Sequence, residues 1–446
     1  SALLRPLPTC GKGRTPQRGR RLSRAREGPA GDWQRESVAF DTMRVDALIV
    51  GGGFGGAFCA RELERLLRGR NKRIVLVAPD NFLLFSPLLP EAAAGTLEPR
   101  HAVIPLRELL RNTNVVIGEV VALDPSTNSA VVRDINDAEH HVEFETAVLA
   151  PGSVPAVFPI PGLSEHAVAF KTLADAIWLR NRVLHQLDAA AATSDPNTRE
   201  RLLTFTFVGG GYAGVEAIAE LESLAVDALK RYPNLTAADF RWVLVEAQDT
   251  LLHGINPKLA RFTDRTLSRR GIEVHLGTRL ESCRDKQVHL STPRVRPYVS
   301  ETIVWTAGQL PSPLAADWGL PADDRGFVPV DDRLRVEQRD DLYAVGDFAA
   351  VPDVDGGLSP NTAQHAMRQA RVAAANVAAY LGVGDPKAFD YRTRGLAVTL
   401  GKRQGTAQVR RWTFTGPLAW WMGRSYHLLM MPGIARKSRV VSDWTM

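Results

Sequence analysis

The chain has 446 residues, of which 45% are apolar and 23% charged, enough for two or three domains with cores of their own. That profile excludes a disordered chain, a collagen-like repeat and a polytopic membrane protein. The net charge of +6 is unevenly spread: residues 1–42 hold nine Lys/Arg against four Asp/Glu and residues 391–446 hold ten against one, leaving the central 348 residues at −8.

Residues 1–42 are rich in Arg, Gly and Pro without apolar periodicity, and are expected to form a disordered basic tail. No apolar run suits a signal peptide, and Gly and Pro would interrupt the amphipathic helix of a mitochondrial presequence. Met43, just ahead of the first strand, is read as the native start. The Arg cluster up to Arg26 has no interleaved aromatics, so nucleic acid is not an expected partner.

Asp46–Val50 reads as a buried strand running into Gly51-Gly52-Gly53-Phe54-Gly55-Gly56 and then a helix through Ala60, Leu63 and Leu67. This is G-x-G-x-x-G in strand–turn–helix context. Gly51 permits the tight turn, Gly53 lets a pyrophosphate approach the backbone, and Gly56 lets helix and strand pack closely. The helix N-terminus beginning at Phe54 faces the phosphates. A second strand, Leu203–Val208, runs into Gly209-Gly210-Gly211-Tyr212-Ala213-Gly214 and a helix containing Glu216, Ile218 and Leu221. Two complete fingerprints 158 residues apart predict two dinucleotide sites in one chain.

The next strand of each unit distinguishes them. Arg241–Val245 leads to Glu246, placed to accept from a ribose 2′-OH and to repel a 2′-phosphate, which favours NAD over NADP. Arg73–Val77 leads instead to Ala78, with Asp80 two residues further on.

Cys10, Cys59 and Cys283 are too few and too scattered for a disulfide framework, a zinc site or a CxxC pair, and no metal is expected. Near the C-terminus, Arg411, Arg424 and Arg436 interrupt two apolar segments, Trp412–Gly423 and Ser425–Ala435. Trp in apolar blocks with basic flanks predicts a helix lying in a membrane interface, or a terminal helix on the body or a dimer face.

With these motifs in place, the sequence resembles the type II NADH dehydrogenases, the non-pumping NADH:quinone oxidoreductases, from about residue 45 to about residue 440. Further segments carry the likeness. Asn81–Pro90 is similar to the family's aromatic-x-x-F-x-P-L-L stretch near the flavin. Ala150-Pro151-Gly152 and Thr306-Ala307-Gly308 stand at the two interdomain crossovers, and Tyr343–Asp347 is similar to the late flavin motif. The resemblance implies FAD in the first unit and NADH in the second, with Asp347 on the FAD ribityl chain. It places Ala363 and Gln364 by the isoalloxazine and the quinone pocket, at a helix N-terminus whose dipole favours a reduced flavin. Arg368 stands where the family often has a second Gln. Glu216 matches a family Glu between the nicotinamide and quinone pockets, suited to relaying protons, and His365 is a candidate proton donor.

The implied reaction is hydride transfer from NADH to FAD, then two-electron reduction of a membrane quinone without proton pumping. The competing readings are a ferredoxin- or rubredoxin-type reductase and a non-catalytic FAD/NAD-binding redox sensor. The expected architecture is α/β: two Rossmann-like units with a C-terminal amphipathic, membrane-associating segment. The FAD domain would comprise residues 43–162 and 308–390, the NAD domain 163–307 and the membrane-associating region 391–446. The expected location is peripheral, on the cytoplasmic face of a bacterial-type plasma membrane in preference to the mitochondrial inner membrane, with a homodimer as an open alternative.

Overall fold

The computed structural model describes residues 42–393 and 395–445, so the expected N-terminal tail lies, but for Thr42, outside the described residues. In chain order the principal elements begin with β1 (Thr42–Val50), α1 (Phe54–Leu66), β2 (Ile74–Ala78), α2 (Leu89–Ala94), β3 (Thr113–Asp124), β4 (Ser129–Asp134), β5 (Glu139–Leu149), β6 (Ala167–Ala169) and α3 (Leu173–Ala192). Next come β7 (Thr204–Val208), α4 (Tyr212–Ala228), β8 (Arg241–Val245), β9 (Ile272–His275), β10 (Thr302–Trp305), β11 (Leu342–Ala344) and α5 (Ala363–Tyr380). The chain ends with β12 (Gly395–Thr399), β13 (Gly405–Val409), β14 (Trp412–Thr415), α6 (Gly416–Met430) and α7 (Ile434–Thr445).

In the first sheet β1 is central. It pairs in parallel with β2 on one side (Leu48↔Val75) and β5 on the other (Leu48↔Ala147). β3 extends the sheet beyond β2, and β11 extends it beyond β5. β4 closes antiparallel onto the far halves of β3 and β5. Because strand order reverses at β1, the carboxyl ends of β1, β5 and β11 splay around a crevice, where α/β sheets bind ligands. Ala47, Leu48 and Ile49 are fully buried, as a strand covered on both faces requires.

The second sheet repeats this plan with five parallel strands, ordered β9-β8-β7-β10-β6. Its central strand β7 pairs through Phe207 with Leu244 and Val304. The two chain passages between the sheets are bound to each other. Ser153–Pro155 runs antiparallel to Gln309–Pro311, with Val154 opposite Leu310. The units also meet through helices, since α2 of the first packs on α3 and α4 of the second.

The C-terminal region differs from a simple amphipathic tail. β12, β13 and β14 form an antiparallel meander, and Val398 and Leu400 are buried in the core of the second unit. The apolar segment expected over Trp412–Gly423 divides into β14 and the start of α6. Arg424, read from sequence as a basic flank, turns inward instead. It is buried, its Nε lies 3.0 Å from Oε1 of buried Glu91, and its guanidinium is sandwiched by Trp420 at 3.9 Å and Trp444 at 4.8 Å. The Trp444 indole donates to Glu91 Oε2 at 2.6 Å. α7 is fixed further by Asp443, which accepts from Glu98 N at 3.1 Å and lies 2.6 Å from His101 Nδ1.

Removing one member of a buried ion pair strands the other charge, which typically costs about 3–5 kcal/mol. Arg424→Ala is therefore expected to lower unfolding stability by about that amount in chemical denaturation. Arg424→Ala combined with Glu91→Gln should recover much of it, and a loss below about 1 kcal/mol for the single variant would contradict a structural pair.

Candidate functional site

The two glycine turns are near copies. Gly51 and Gly209 adopt φ of +105° and +116°, conformations strained for any side chain. A Cβ on Gly56 would lie 1.9 Å from Gly51 O, and one on Gly214 would lie 1.9 Å from Gly209 O. Both positions are closed by the chain itself. Gly53 and Gly211 are the opposite case: a Cβ at either would meet nothing within 4 Å. They are the N-caps of α1 and α4, neither helix has a side-chain cap, and neither carries an acid in its first turn. Free backbone N–H groups and the helix dipole thus face open space at the two positions where a pyrophosphate would lie.

The crossovers sit directly on these turns. Ala150 O is 2.1 Å from the position of a Gly51 Cβ, and Ala307 N is 2.7 Å from that of Gly209. Thr306 Oγ1 lies 3.0 Å from the carbonyl oxygens of both Val208 and Gly209. Gly152 and Gly308 both take positive φ, at +79° and +84°.

The carboxylate beside each turn differs as the sequence indicates. Glu246 is buried at the end of β8 and accepts from Gly210 N at 2.5 Å and Gln248 N at 2.8 Å. Two backbone N–H groups thus fix the carboxylate beside the second glycine turn. In the first unit Ala78 takes the same position, 2.8 Å from where a Gly52 Cβ would stand. Asp80 is exposed nearby, and partial burial raises its pKa above the ordinary value.

Asp347 lies in the short turn Gly346–Phe348 that follows β11. Its Oδ2 accepts from Ser153 Oγ at 2.9 Å, which joins it to the first crossover. Gly346 N donates to Gln369 Oε1 at 2.8 Å, so the glutamine next to Arg368 holds this turn. Val345 packs on Gly55 of α1, which brings Gly51, Gly53, Gly56, Ala150, Gly152 and Asp347 around one crevice. α5 opens beside the same turn at Ala363, with Thr362 as N-cap.

Gln364 Nε2 donates to Tyr391 OH, and Arg368 lies over the Tyr391 ring at 5.4 Å. His365 is buried with both ring nitrogens engaged: Nδ1 lies 2.8 Å from Thr362 Oγ1 and Nε2 lies 3.1 Å from Thr393 Oγ1. Burial lowers its pKa, favouring the neutral ring. Tyr391 and Thr393 also line a cavity of about 590 Å³ with Asp353, Asp355, Asp390, Arg392 and Arg410, a charged lining suited to water and protons.

Glu216 stands on the other unit, in the first turns of α4. Its Oε1 accepts from Thr399 N at 2.9 Å and lies 3.3 Å from Thr399 Oγ1, so β12 of the C-terminal meander holds it. Burial pushes its pKa up to about 8, with Glu220 and Glu91 adding to the rise. Glu220, one turn along α4, is pushed up to about 7, chiefly by burial and then by Glu91. The sequence reading missed Glu91, Glu220, Tyr391 and Thr399. The i,i+4 spacing of Glu216 and Glu220 was a usable signal, whereas Tyr391 and Thr399 lie in the segment read as a tail.

Cys59 and Cys283 are buried and free, and burial pushes their thiols up to about 12 and about 11. One lies on α1 and the other in the second unit, so among the described residues there is no cysteine pair for disulfide chemistry. No group of three or more His, Cys, Asp or Glu suited to a metal occurs among them either.

Twin nucleotide cradles joined by a paired crossover define a two-dinucleotide oxidoreductase, and residues 45–370 match the pyridine nucleotide-disulphide oxidoreductase family, to which the chain belongs. Within it, the chain is a member of the type II NADH:quinone oxidoreductase branch. It is 29% identical to Ndh of Mycobacterium tuberculosis over 92% of this chain and 90% of that protein. It is 30% identical to NdhA of the same organism over 90% of this chain and 86% of that protein. An external alternative NAD(P)H-ubiquinone oxidoreductase of Arabidopsis mitochondria is 29% identical over 72% of this chain and 57% of its own length. The fold matches NDH2 of Plasmodium falciparum, solved with NADH, at a TM-score of 0.82 and 17% identity over 90% of this chain and 97% of that one.

Two outcomes follow from this geometry. Gly211→Ala should leave the unliganded stability within about 0.5 kcal/mol, since its Cβ meets no protein atom, yet weaken NADH binding at least tenfold in titration calorimetry. Unchanged affinity would remove the phosphate from this turn. Glu216 binds a proton on folding between its ordinary 4.5 and about 8, so its contribution is most favourable below pH 4.5 and is progressively lost up to pH 8. Glu216→Gln should flatten that decline in stability, and an unaltered slope would show that the carboxyl is not held protonated.

Proposed function

We propose that the chain catalyses the reaction its relatives are named for, oxidation of NADH and reduction of a quinone, with FAD as its bound cofactor. The observation that carries this reading is the pair of open N-caps at Gly53 and Gly211, each backed by a crossover, with a ribose-binding carboxylate beside only the second. The first cradle suits FAD, with Asp347 and Gly152 along its ribityl side and residues 43–162 and 308–390 as its domain. The second, in residues 163–307, suits NADH through Gly209, Gly211, Gly214 and Glu246. Phe54, packed edge-on against Phe85 at 5.6 Å, walls the FAD cradle.

Bound FAD supplies the hydride-accepting and electron-passing chemistry between the two substrates. The chain's own residues bind, orient and manage protons. The α5 N-terminus at Ala363 offers its dipole to negative charge in the crevice. Gln364, fixed by Tyr391, presents an amide to the acceptor. Glu216, whose burial favours the protonated form at neutral pH, is the residue suited to hold the proton that quinone reduction consumes. His365, with both nitrogens held by threonines, orients the start of α5.

No helix among the described residues is long and apolar enough to cross a membrane. α6 and α7 instead expose Leu418, Trp421, Leu429 and Ile434, the last 87% exposed, with Arg410, Arg411, Lys437 and Arg439 close in sequence. Apolar side chains beside cations suit the headgroup boundary of an anionic lipid surface, and a lipid-soluble acceptor requires the enzyme to reach one. We place it on the cytoplasmic face of a plasma membrane. A second copy covering this face is the competing occupant.

The test is steady-state NADH oxidation by the FAD-loaded protein. A soluble quinone should be reduced, and Gln364→Ala should slow that step about tenfold or more while leaving reduction of FAD by NADH intact. A protein that ignored quinones yet reduced a ferredoxin would overturn the reading. Replacing Leu418, Trp421 and Leu429 together by Gln should abolish sedimentation with anionic vesicles and spare soluble-quinone turnover. Unchanged vesicle binding with a smaller particle in lipid-free sedimentation would assign the face to a dimer.

A further inference from the structure

Four polar groups meet where the two chain passages cross, three of them half-buried (Lys171, Ser153 and Asp347) and one, Gln309, exposed. Lys171 stands between β6 and α3, at the edge of the second unit. Its backbone is fixed there because Lys171 N and Thr172 N both donate to Asp175 Oδ2, at 2.9 and 2.8 Å, in the capping box of α3. The side chain leaves its own unit and reaches the crossover ribbon. Nζ donates to Ser153 O, to Ser153 Oγ at 2.8 Å and to Gln309 Oε1 at 3.4 Å. An ammonium has three donors, and all three are directed at the ribbon. Ser153 lies on the first passage and Gln309 on the second.

The same serine hydroxyl faces two acceptors, Gln309 Oε1 at 2.8 Å and Asp347 Oδ2 at 2.9 Å. It has one proton. Lys171 occupies a lone pair of the hydroxyl and also donates to the Gln309 oxygen, so the proton is better used on the Asp347 carboxyl oxygen, which Lys171 does not reach. Burial pulls the Lys171 pKa down and the Asp347 charge opposes that shift, so the two groups feel each other without touching.

We propose that Lys171 is a positioning residue for the cofactor: reaching from the nicotinamide unit, it orients Ser153 so that Ser153 fixes the carboxylate of Asp347 in the FAD crevice. This rests on the FAD assignment made above. The consequence is that FAD retention depends on a residue outside the FAD domain, through the junction on which the two units would hinge. Lys171 also brings a positive charge to the edge of that crevice, which favours added electrons.

The experiment compares wild type, Lys171→Met, Ser153→Ala and the double variant, each loaded with FAD. Lys171→Met should raise the FAD dissociation constant about tenfold, the loss expected for a hydrogen bond to a charged group, and shift the two-electron midpoint potential of the bound flavin to more negative values. Ser153→Ala should match that loss of affinity, and the double variant should be no worse than the weaker single variant, because both act through one contact. Additive losses would overturn the proposal. So would a Lys171→Met protein that melts lower yet keeps wild-type FAD affinity and potential, which is what a purely structural lysine would give. A wild-type chain that held no FAD would instead refute the functional reading.

Discussion

Backbone lying against backbone at the two glycine turns is the contact on which the rest of the molecule is built. With Gly56 so close to Gly51 O and Gly214 so close to Gly209 O, helix and strand meet without an intervening side chain. That closeness places each helix N-terminus at the carboxyl edge of its sheet. The crossovers can then settle on the turns, Ala150 against Gly51 and Ala307 against Gly209, and the pairing of Ser153–Pro155 with Gln309–Pro311 sets one unit against the other. A methyl group at either contact would propagate to the position of both cofactor cradles.

The C-terminal region depends on a second, electrostatic constraint. A buried guanidinium and a buried carboxylate cost desolvation, and such a pair persists only when other groups complete it. Arg424 and Glu91 are completed by Trp420 and by Trp444, whose indole bonds the carboxylate. This inward face fixes α6 and α7 on the body and leaves Leu418, Trp421 and Leu429 on the outside. Glu91 also faces Glu220 and Glu216, so the anchoring pair and the proton-holding carboxyls share one buried field. Deleting residues 391–446 as a unit would remove Thr399 from Glu216 as well as the exposed apolar face.

Much of the site was legible along the chain because its determinants are local. A glycine fingerprint needs only a strand, a turn and a helix within about thirty residues. Glu246 could be placed because it ends the next strand, and the same rule exposed Ala78 as the departure. Gln369, next to Arg368, holds Gly346. Where the reading fell short, the partners were distant in sequence. Lys171 and Asp347 are 176 positions apart, and Glu91 and Trp444 are separated by 353. Arg424 looked like a basic flank because sequence gives a cation's charge without its direction.

Charge carries the same division. The basic ends and the acidic middle are properties of composition, and the two dinucleotide units follow from short-range pattern; both were fixed before any fold was known. Tertiary structure decided which charges are usable. It buried Arg424 against Glu91, left Arg410 and Arg411 exposed between exposed Val409 and Trp412, raised the Glu216 pKa to about 8, and held both nitrogens of His365. The physical reason is that a charge acts through its surroundings: desolvation and partners set its protonation and reach, and those surroundings come from segments hundreds of residues apart.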